Sequence, residues 1–238
     1  SGADILPDSA AVAASAGLRV ASATSSARAA PIPAKSIAVL PFENLSDDKK
    51  NGYFADGMQD LILTKLADIG DLKVVSRTST ENYSSHPGDL DAIGQRLGVA
   101  TVLEGSVQKA GKQVLINLQL IDAKTNNHIW AQSYTRTLDN IFGVEGEVAQ
   151  KVADALNAKL TVAETQAVTR IPTTNRQAYD DYLRGLHFDN EAGKGAMATW
   201  LPQAIEAYGK AVAADPGFAL AWAALSNARS ASSAARRA

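Results

Sequence analysis

The stretch from Ser36 to Ile69 constrains the fold more than any other part of the sequence. It opens on the short apolar run Ile37, Ala38, Val39 and Leu40, passes Pro41 and Phe42, and crosses the polar loop Glu43-Asn44-Leu45-Ser46-Asp47-Asp48. Beyond the loop, Phe54, Met58, Leu61, Ile62, Leu66 and Ile69 recur at spacings of three and four, so they share one face of a helix that needs a sheet to cover. Asn51 is expected to cap that helix, and Gly70 to close it in the left-handed conformation.

The chain beyond it repeats and then changes this pattern. Leu72 to Ser76 reads as a second strand, and Asp89 to Leu97 as a second helix with Leu90, Ile93 and Leu97 facing inward and Gly98 ending it. Val99 to Lys109 is a third strand, turned at Ala110-Gly111-Lys112 into a fourth, where Val114, Ile116, Leu118 and Leu120 alternate. After the turn residues Asp122 to Asn127, His128 to Arg136 forms a fifth strand with Trp130 and Tyr134 on one face. A third helix carries Ile141, Val144, Val148, Val152, Ala155 and Leu156 on one stripe.

Two crossover helices make the first three strands parallel, and two tight turns make the last three antiparallel. The fold class is therefore α/β: a mixed five-stranded sheet with covering helices in the order β-α-β-α-β-β-β-α, followed by an all-α segment. Thr161-Val162-Ala163-Glu164 has the spacing of a capping box, and Ile171-Pro172-Thr173-Thr174-Asn175 breaks the chain. Four segments result: a linker at 1–35, rich in Ala, Ser and Pro; the α/β domain at 36–165; a connector at 166–175; and helices at 176–238. The linker composition buries too little apolar surface to offset its ordering entropy.

The bulk numbers narrow the function. A formal charge of −2 gives no electrostatic reason to bind nucleic acid. The absence of cysteine excludes disulfides, thiolate catalysis and thiolate-ligated zinc. No run reaches the roughly 18 apolar residues needed to cross a bilayer, so no direct membrane insertion is expected.

Several segments of the α/β part resemble the TolB amino-terminal-like family. They are Ala38-Val39-Leu40-Pro41-Phe42-Glu43-Asn44-Leu45-Ser46, Tyr53 to Met58, Ser76 to Ser79, Gly98 to Val107, Gln119 to Ala123 and His128 to Ala131. The resemblance implies a non-enzymatic, commonly periplasmic module. In many such proteins it lies beyond a membrane helix whose other side carries a winged-helix regulator, an adenylate cyclase or a kinase.

The helical part resembles the tetratricopeptide repeat. Ala204, Tyr208, Ala211 and Pro216 stand at the offsets of that repeat's second helix, with Gly185 in the helix before, and Trp222 and Leu225 where the next repeat begins. Arg184 departs from the pattern, because an apolar residue is expected there. The link from Asn190 to Leu201 is longer than usual, and the Ala, Ser and Arg tail from Ser230 to Ala238 lacks a groove-filling aromatic. A unit this short cannot bury its own face, so it belongs to a longer array, docks on the α/β domain, or pairs between chains as a homodimer.

A search for chemistry finds little. His86, His128 and His187 have no second ligand at metal spacing, and no phosphate loop, nucleophile elbow or calcium loop is present, so neither a metal nor a cofactor is expected. Asp180 and Asp181 are adjacent on a helix and diverge. One constellation remains: Asn44, Asp56, Arg77, Thr78, Ser79 and Glu104 gather near the carboxyl ends of the parallel strands, where open α/β sheets place ligands. The structural alternative is that Arg77 pairs with Asp56 or Glu104 to hold the loops.

These features favour a non-enzymatic periplasmic sensory or scaffold module of a membrane-anchored signalling protein, binding a protein or peptide through its repeat helices. A cell-envelope assembly factor is the second reading. An enzyme acting on a small anionic substrate is the third.

Overall fold

A computed structural model describes residues 31–235. Most of the expected 1–35 linker, and the last three residues of the tail, lie outside the described residues. Of the described residues, 32–235 belong to one compact unit.

The chain opens with β1 (Ser36–Val39), β2 (Glu43–Asn44) and α1 (Gly52–Ala67), followed by β3 (Lys73–Val74), α2 (Arg77–Thr80) and α3 (Leu90–Leu97). The long strands β4 (Thr101–Ala110), β5 (Gln113–Asp122) and β6 (His128–Thr137) come next. Five helices complete it: α4 (Val144–Ala155), α5 (Val162–Thr169), α6 (Arg176–Glu191), α7 (Met197–Ala214) and α8 (Ala219–Ala235). The sheet order is β3-β1-β4-β5-β6, with β1 parallel to β3 and β4, and β4, β5 and β6 antiparallel as the connections require.

The sheet has six strands rather than five. Pro41, which cannot donate to a ladder, interrupts the first strand, and the chain then returns to the same edge of β4. There Glu43 and Asn44 pair with Ser106 and Val107, and Leu45 N–H donates to the Val107 carbonyl at 2.8 Å. The first two residues of the expected polar loop are therefore strand. The ring of Phe42 fills the space a side chain at Gly105 would need.

Strand alternation divides the core. Leu103 and Val107 face α1 and α4 in the main core, whereas Val102 points the other way, into a small cluster with Leu40, Leu90, Ile121 and Ala123. Trp130 packs against the main core and Tyr134 is buried in it.

Three local expectations change. Asn51 makes no side-chain cap; instead Asp48 accepts from Lys50 N–H and starts a 3-10 turn at Lys49–Asn51 that feeds α1. Helix α1 ends at Ala67, and Gly70 is not left-handed; its N–H donates to Glu164 Oε1 at 2.8 Å. The second strand shrinks to Lys73–Val74, since Ser76 becomes the N-terminal neighbour of α2. Gly98 does close α3 in the left-handed region, and the capping box of Thr161 and Glu164 forms.

The helices after the connector are covered by docking. α6 lies on α1, and one hydrophobic core runs from Phe54, Met58 and Leu61 through Tyr179 and Leu183 to Tyr208 and Phe218. Fully burying each such side chain contributes roughly 1.5–3 kcal/mol, enough to fix the hairpin in place. Gly57 makes the approach close, because a Cβ there would lie 2.7 Å from Leu183 Cδ2 and 3.2 Å from its Cα.

Candidate functional site

The six candidate residues do not converge on one cleft. Arg77 opens α2 and points at α1: Nη1 donates to Asp60 Oδ1 at 2.6 Å, to Gln59 Oε1 at 2.9 Å and to the Asp56 carbonyl at 3.3 Å, and Nη2 lies 3.8 Å from Asp56 Oδ1. Asp56 and Asp60 stand one helical turn apart, so both reach the same side of α1. The other oxygen of each carboxylate turns to α6, where His187 Nδ1 is 2.7 Å from Asp56 Oδ2 and Asn190 Nδ2 donates to Asp60 Oδ2 at 2.5 Å. Two carboxylates on α1 thus bridge a guanidinium of the α/β part and two side chains of α6.

Glu104 belongs elsewhere. Its neighbour Leu103 faces the main core, so Glu104 points from the opposite face of the sheet, where it lies 3.1 Å from His86 Nδ1, and His86 Nε2 lies 3.3 Å from Glu43 Oε2. The alternative pairing of Arg77 with Glu104 does not occur. Asn44 is spent locally, accepting from Ser46 N–H at 3.1 Å. Thr78 and Ser79 lie on the exposed side of α2, where Ser79 Oγ is 3.1 Å from Ser76 Oγ.

A second polar cluster joins the same two parts of the fold. Tyr53 on α1 donates to Asp180 Oδ1 at 2.5 Å and accepts from Lys109 Nζ at 2.7 Å and Arg184 Nη2 at 3.0 Å. The Arg184 guanidinium lies 4.0 Å from the centre of the Tyr53 ring, which accounts for a cation where the resemblance to the repeat leads one to expect an apolar side chain. Burial opposes the charge of Asp180, but the Tyr53 hydroxyl, Lys109 and Arg184 outweigh it and hold the carboxyl below its usual range. For Asp60 burial wins, and its carboxyl is raised despite Arg77 and Asn190.

Both clusters are chemically saturated. The His187–Asp56 pair has the geometry of half a catalytic dyad, yet no hydroxyl of the described residues hydrogen-bonds the other ring nitrogen. Among the described residues no group of three or more His, Asp or Glu side chains is placed to hold a metal. The arrangement holds charges in pairs across a joint.

Asp60, Asn190 and Lys109 were not legible as partners in the sequence. The one available signal was the four-residue spacing of Asp56 and Asp60, on the side of α1 away from its apolar stripe.

In the helical part, α6 and α7 are antiparallel, with Tyr182 beside Tyr208 and Phe188 stacked on Trp200 at 5.9 Å. Between them the π-helical link Ala192–Ala196 breaks helical geometry at Gly195. A side chain at Gly185 would run into the Tyr208 ring, and Ala204, Tyr208, Ala211 and Leu225 are buried. Trp222 on α8 is 48% exposed, its Nε1–H donating to the Pro216 carbonyl at 3.0 Å. Helix α8 runs on to Ala235, through the first part of the tail.

Residues 33–173 match the model of the HilA/YgeH-like transcriptional regulator, second domain. The chain belongs to this family. The matched residues span the α/β part, in which the resemblance to the TolB amino-terminal-like family also lies. A relative from Rhizobium meliloti (strain 1021), named putative adenylate cyclase 3, is 39% identical over 196 residues, or 82% of this chain; the chain spans only 33% of that protein. Similar solved structures include TolB from Acinetobacter baumannii, 20% identical with a TM-score of 0.41, covering 53% of this chain and 29% of that one. Lipoprotein GNA1162 from Neisseria meningitidis is 21% identical with a TM-score of 0.40, covering 53% of this chain and 99% of that one. Among the described residues no helix is long and apolar enough to cross a membrane.

Proposed function

We propose that this chain is a non-enzymatic sensory or scaffold module of a membrane-anchored bacterial signalling protein, held on the periplasmic side and read by an output domain elsewhere in the full protein. The observation that carries the reading is the kind of protein the module occurs in. It matches the second domain of a transcriptional regulator family, and a third of a protein named as a putative cyclase. What such different outputs have in common is a part that informs them. The saturated ion pairs fit that role, because they lock α6 to α1 without leaving a nucleophile and base exposed.

The α6–α7 hairpin is read as one tetratricopeptide-like repeat and α8 as the first helix of the next. Gly185 under the Tyr208 ring, the buried Ala204 and Ala211, and Pro216 after α7 support this. On this reading a protein or peptide partner engages the face of α8 that displays Trp222, Ser226 and Arg229, which follow one another at helical spacing.

The test uses the intact gene product with Trp222→Ser and Arg229→Ser together. Lowered output, as promoter activity or cyclic-nucleotide level, with an unchanged melting midpoint of the isolated module supports the proposal. Unchanged output contradicts the partner assignment. A phosphatase reporter fused after residue 238 is expected to be active outside the cytoplasm, and activity only inside would refute the location.

A further inference from the structure

The two ends of the sheet are finished differently. β3 is two residues long, whereas β6 presents a ten-residue edge, and among the described residues no strand pairs with its outer side. The direction of its main-chain groups follows from the ladder. Leu138 N–H donates to the Lys112 carbonyl, opposite it in the β5–β6 register, and bonded pairs recur at every second residue. Arg136, Tyr134 and Gln132 therefore bond to β5, while the N–H and C=O groups of Thr135, Ser133 and Ala131 point outward. The rest of the sheet obeys the same phase, since odd residues of β4 bond away from β5 through the Leu103 and Val107 carbonyls.

Sheets usually protect such an edge with proline, lysine or a bulge. From Ala131 to Thr135 there is no charged residue, no proline and no register shift. Ala131, Ser133 and Thr135 are exposed.

We propose that β6 pairs antiparallel with β6 of a second copy of this chain, about a two-fold axis at Ser133. A two-fold axis normal to a continuous sheet pairs residues of like parity, and the outward set is symmetric about Ser133. Ser133 meets Ser133 of the other copy, Ala131 meets Thr135 and Thr135 meets Ala131, each pair exchanging both main-chain bonds. On the core side Gln132 lies opposite Tyr134, and Trp130 opposite Arg136, a cation facing an aromatic. Within this stretch no like charges oppose one another. That self-complementarity selects a second copy over an unrelated strand.

Because the chain has no cysteine, a single introduced thiol reports the register cleanly. Residues in a bonded antiparallel pair have Cα atoms about 5.5 Å apart, within disulfide reach. In the full chain, Ser133→Cys is expected to give a disulfide dimer on mild oxidation. Ala131→Cys and Thr135→Cys are expected to cross-link far better mixed than separately, and Lys124→Cys, in the exposed β5–β6 turn, to form no intermolecular disulfide. Ser133→Lys, which sets two ammonium groups face to face, is expected to shift the dimer to monomer by light scattering while the circular dichroism spectrum and a single cooperative melt are kept. A wild-type chain that stays monomeric across the concentration series, or a Ser133→Cys yield no higher than that of Lys124→Cys, overturns the proposal. A dimer that survives Ser133→Lys and cross-links equally from every position overturns it as well.

Discussion

Arg77 and Asp60 form an ion pair of 2.6 Å at the joint between the α/β sheet and the helices that follow it. Their side chains are only 16% and 14% exposed, so neither charge is well solvated without the other. Arg77→Ala leaves a buried carboxylate with Asn190 as its remaining donor, a loss expected at about 3 kcal/mol of stability. Asp60→Asn in the same background should restore part of it. Urea denaturation of the two single variants and the double variant measures both effects, and additive losses would show that the charges do not depend on each other.

The Tyr53 hydroxyl is the shared partner of Asp180, Lys109 and Arg184. Tyr53→Phe keeps the ring beneath Arg184 and removes the hydrogen bonds, so a loss of about 1–2 kcal/mol is expected. Asp180 is held below the usual carboxylate range, so the stability it contributes is present above its unfolded pKa and is lost as pH falls through the folded value. Acid unfolding of Asp180→Asn beside wild type should show the gap between them closing as pH drops.

Glu145 titrates with the opposite sign. It is fully buried near the start of α4, with Tyr179 Oη 3.5 Å from Oε2, and burial pushes its carboxyl above the usual range. Its contribution is therefore fully present below the unfolded pKa and declines as pH rises through the folded one. Glu145→Gln removes that titration. Its melting midpoint is expected at or above that of wild type at neutral pH, with the difference shrinking on acidification; a difference that grows on acidification would contradict this assignment.

Close packing at Gly185 gives a steric prediction. Gly185→Ala drives a methyl into the Tyr208 ring and should cost about 1–3 kcal/mol by overpacking. Tyr208→Leu, which frees ring volume, should make the same change cheaper in a double-mutant cycle of thermal midpoints.

What the sequence revealed followed from periodicity. The apolar stripe of α1, the alternation of Val114 to Leu120 and the two crossovers together required a mixed sheet, with the early strands parallel and the last three antiparallel. The strand β2 stayed hidden because Glu43 and Asn44 are polar and paired through backbone alone, which no side-chain pattern reports. The candidate site dissolved for a related reason. Glu104 and Arg77 both lie near strand ends, but a one-residue step in β4 puts Glu104 on the opposite face. Arg184 looked anomalous only while α6 was considered without α1. Its partner Tyr53 is 131 residues away, beyond what local spacing can reveal.

The helices beyond the connector are part of the fold of the α/β module through α1. The thermal midpoint of a chain truncated after Asn175, compared with that of the full chain, tests it most directly. Removing α6 uncovers Phe54, Met58 and Leu61 and leaves Asp56 and Asp60 without His187 and Asn190, so the midpoint should fall by many degrees or the transition should lose its cooperativity. A truncated chain that melts cooperatively at an unchanged midpoint would show that the α/β module folds without them.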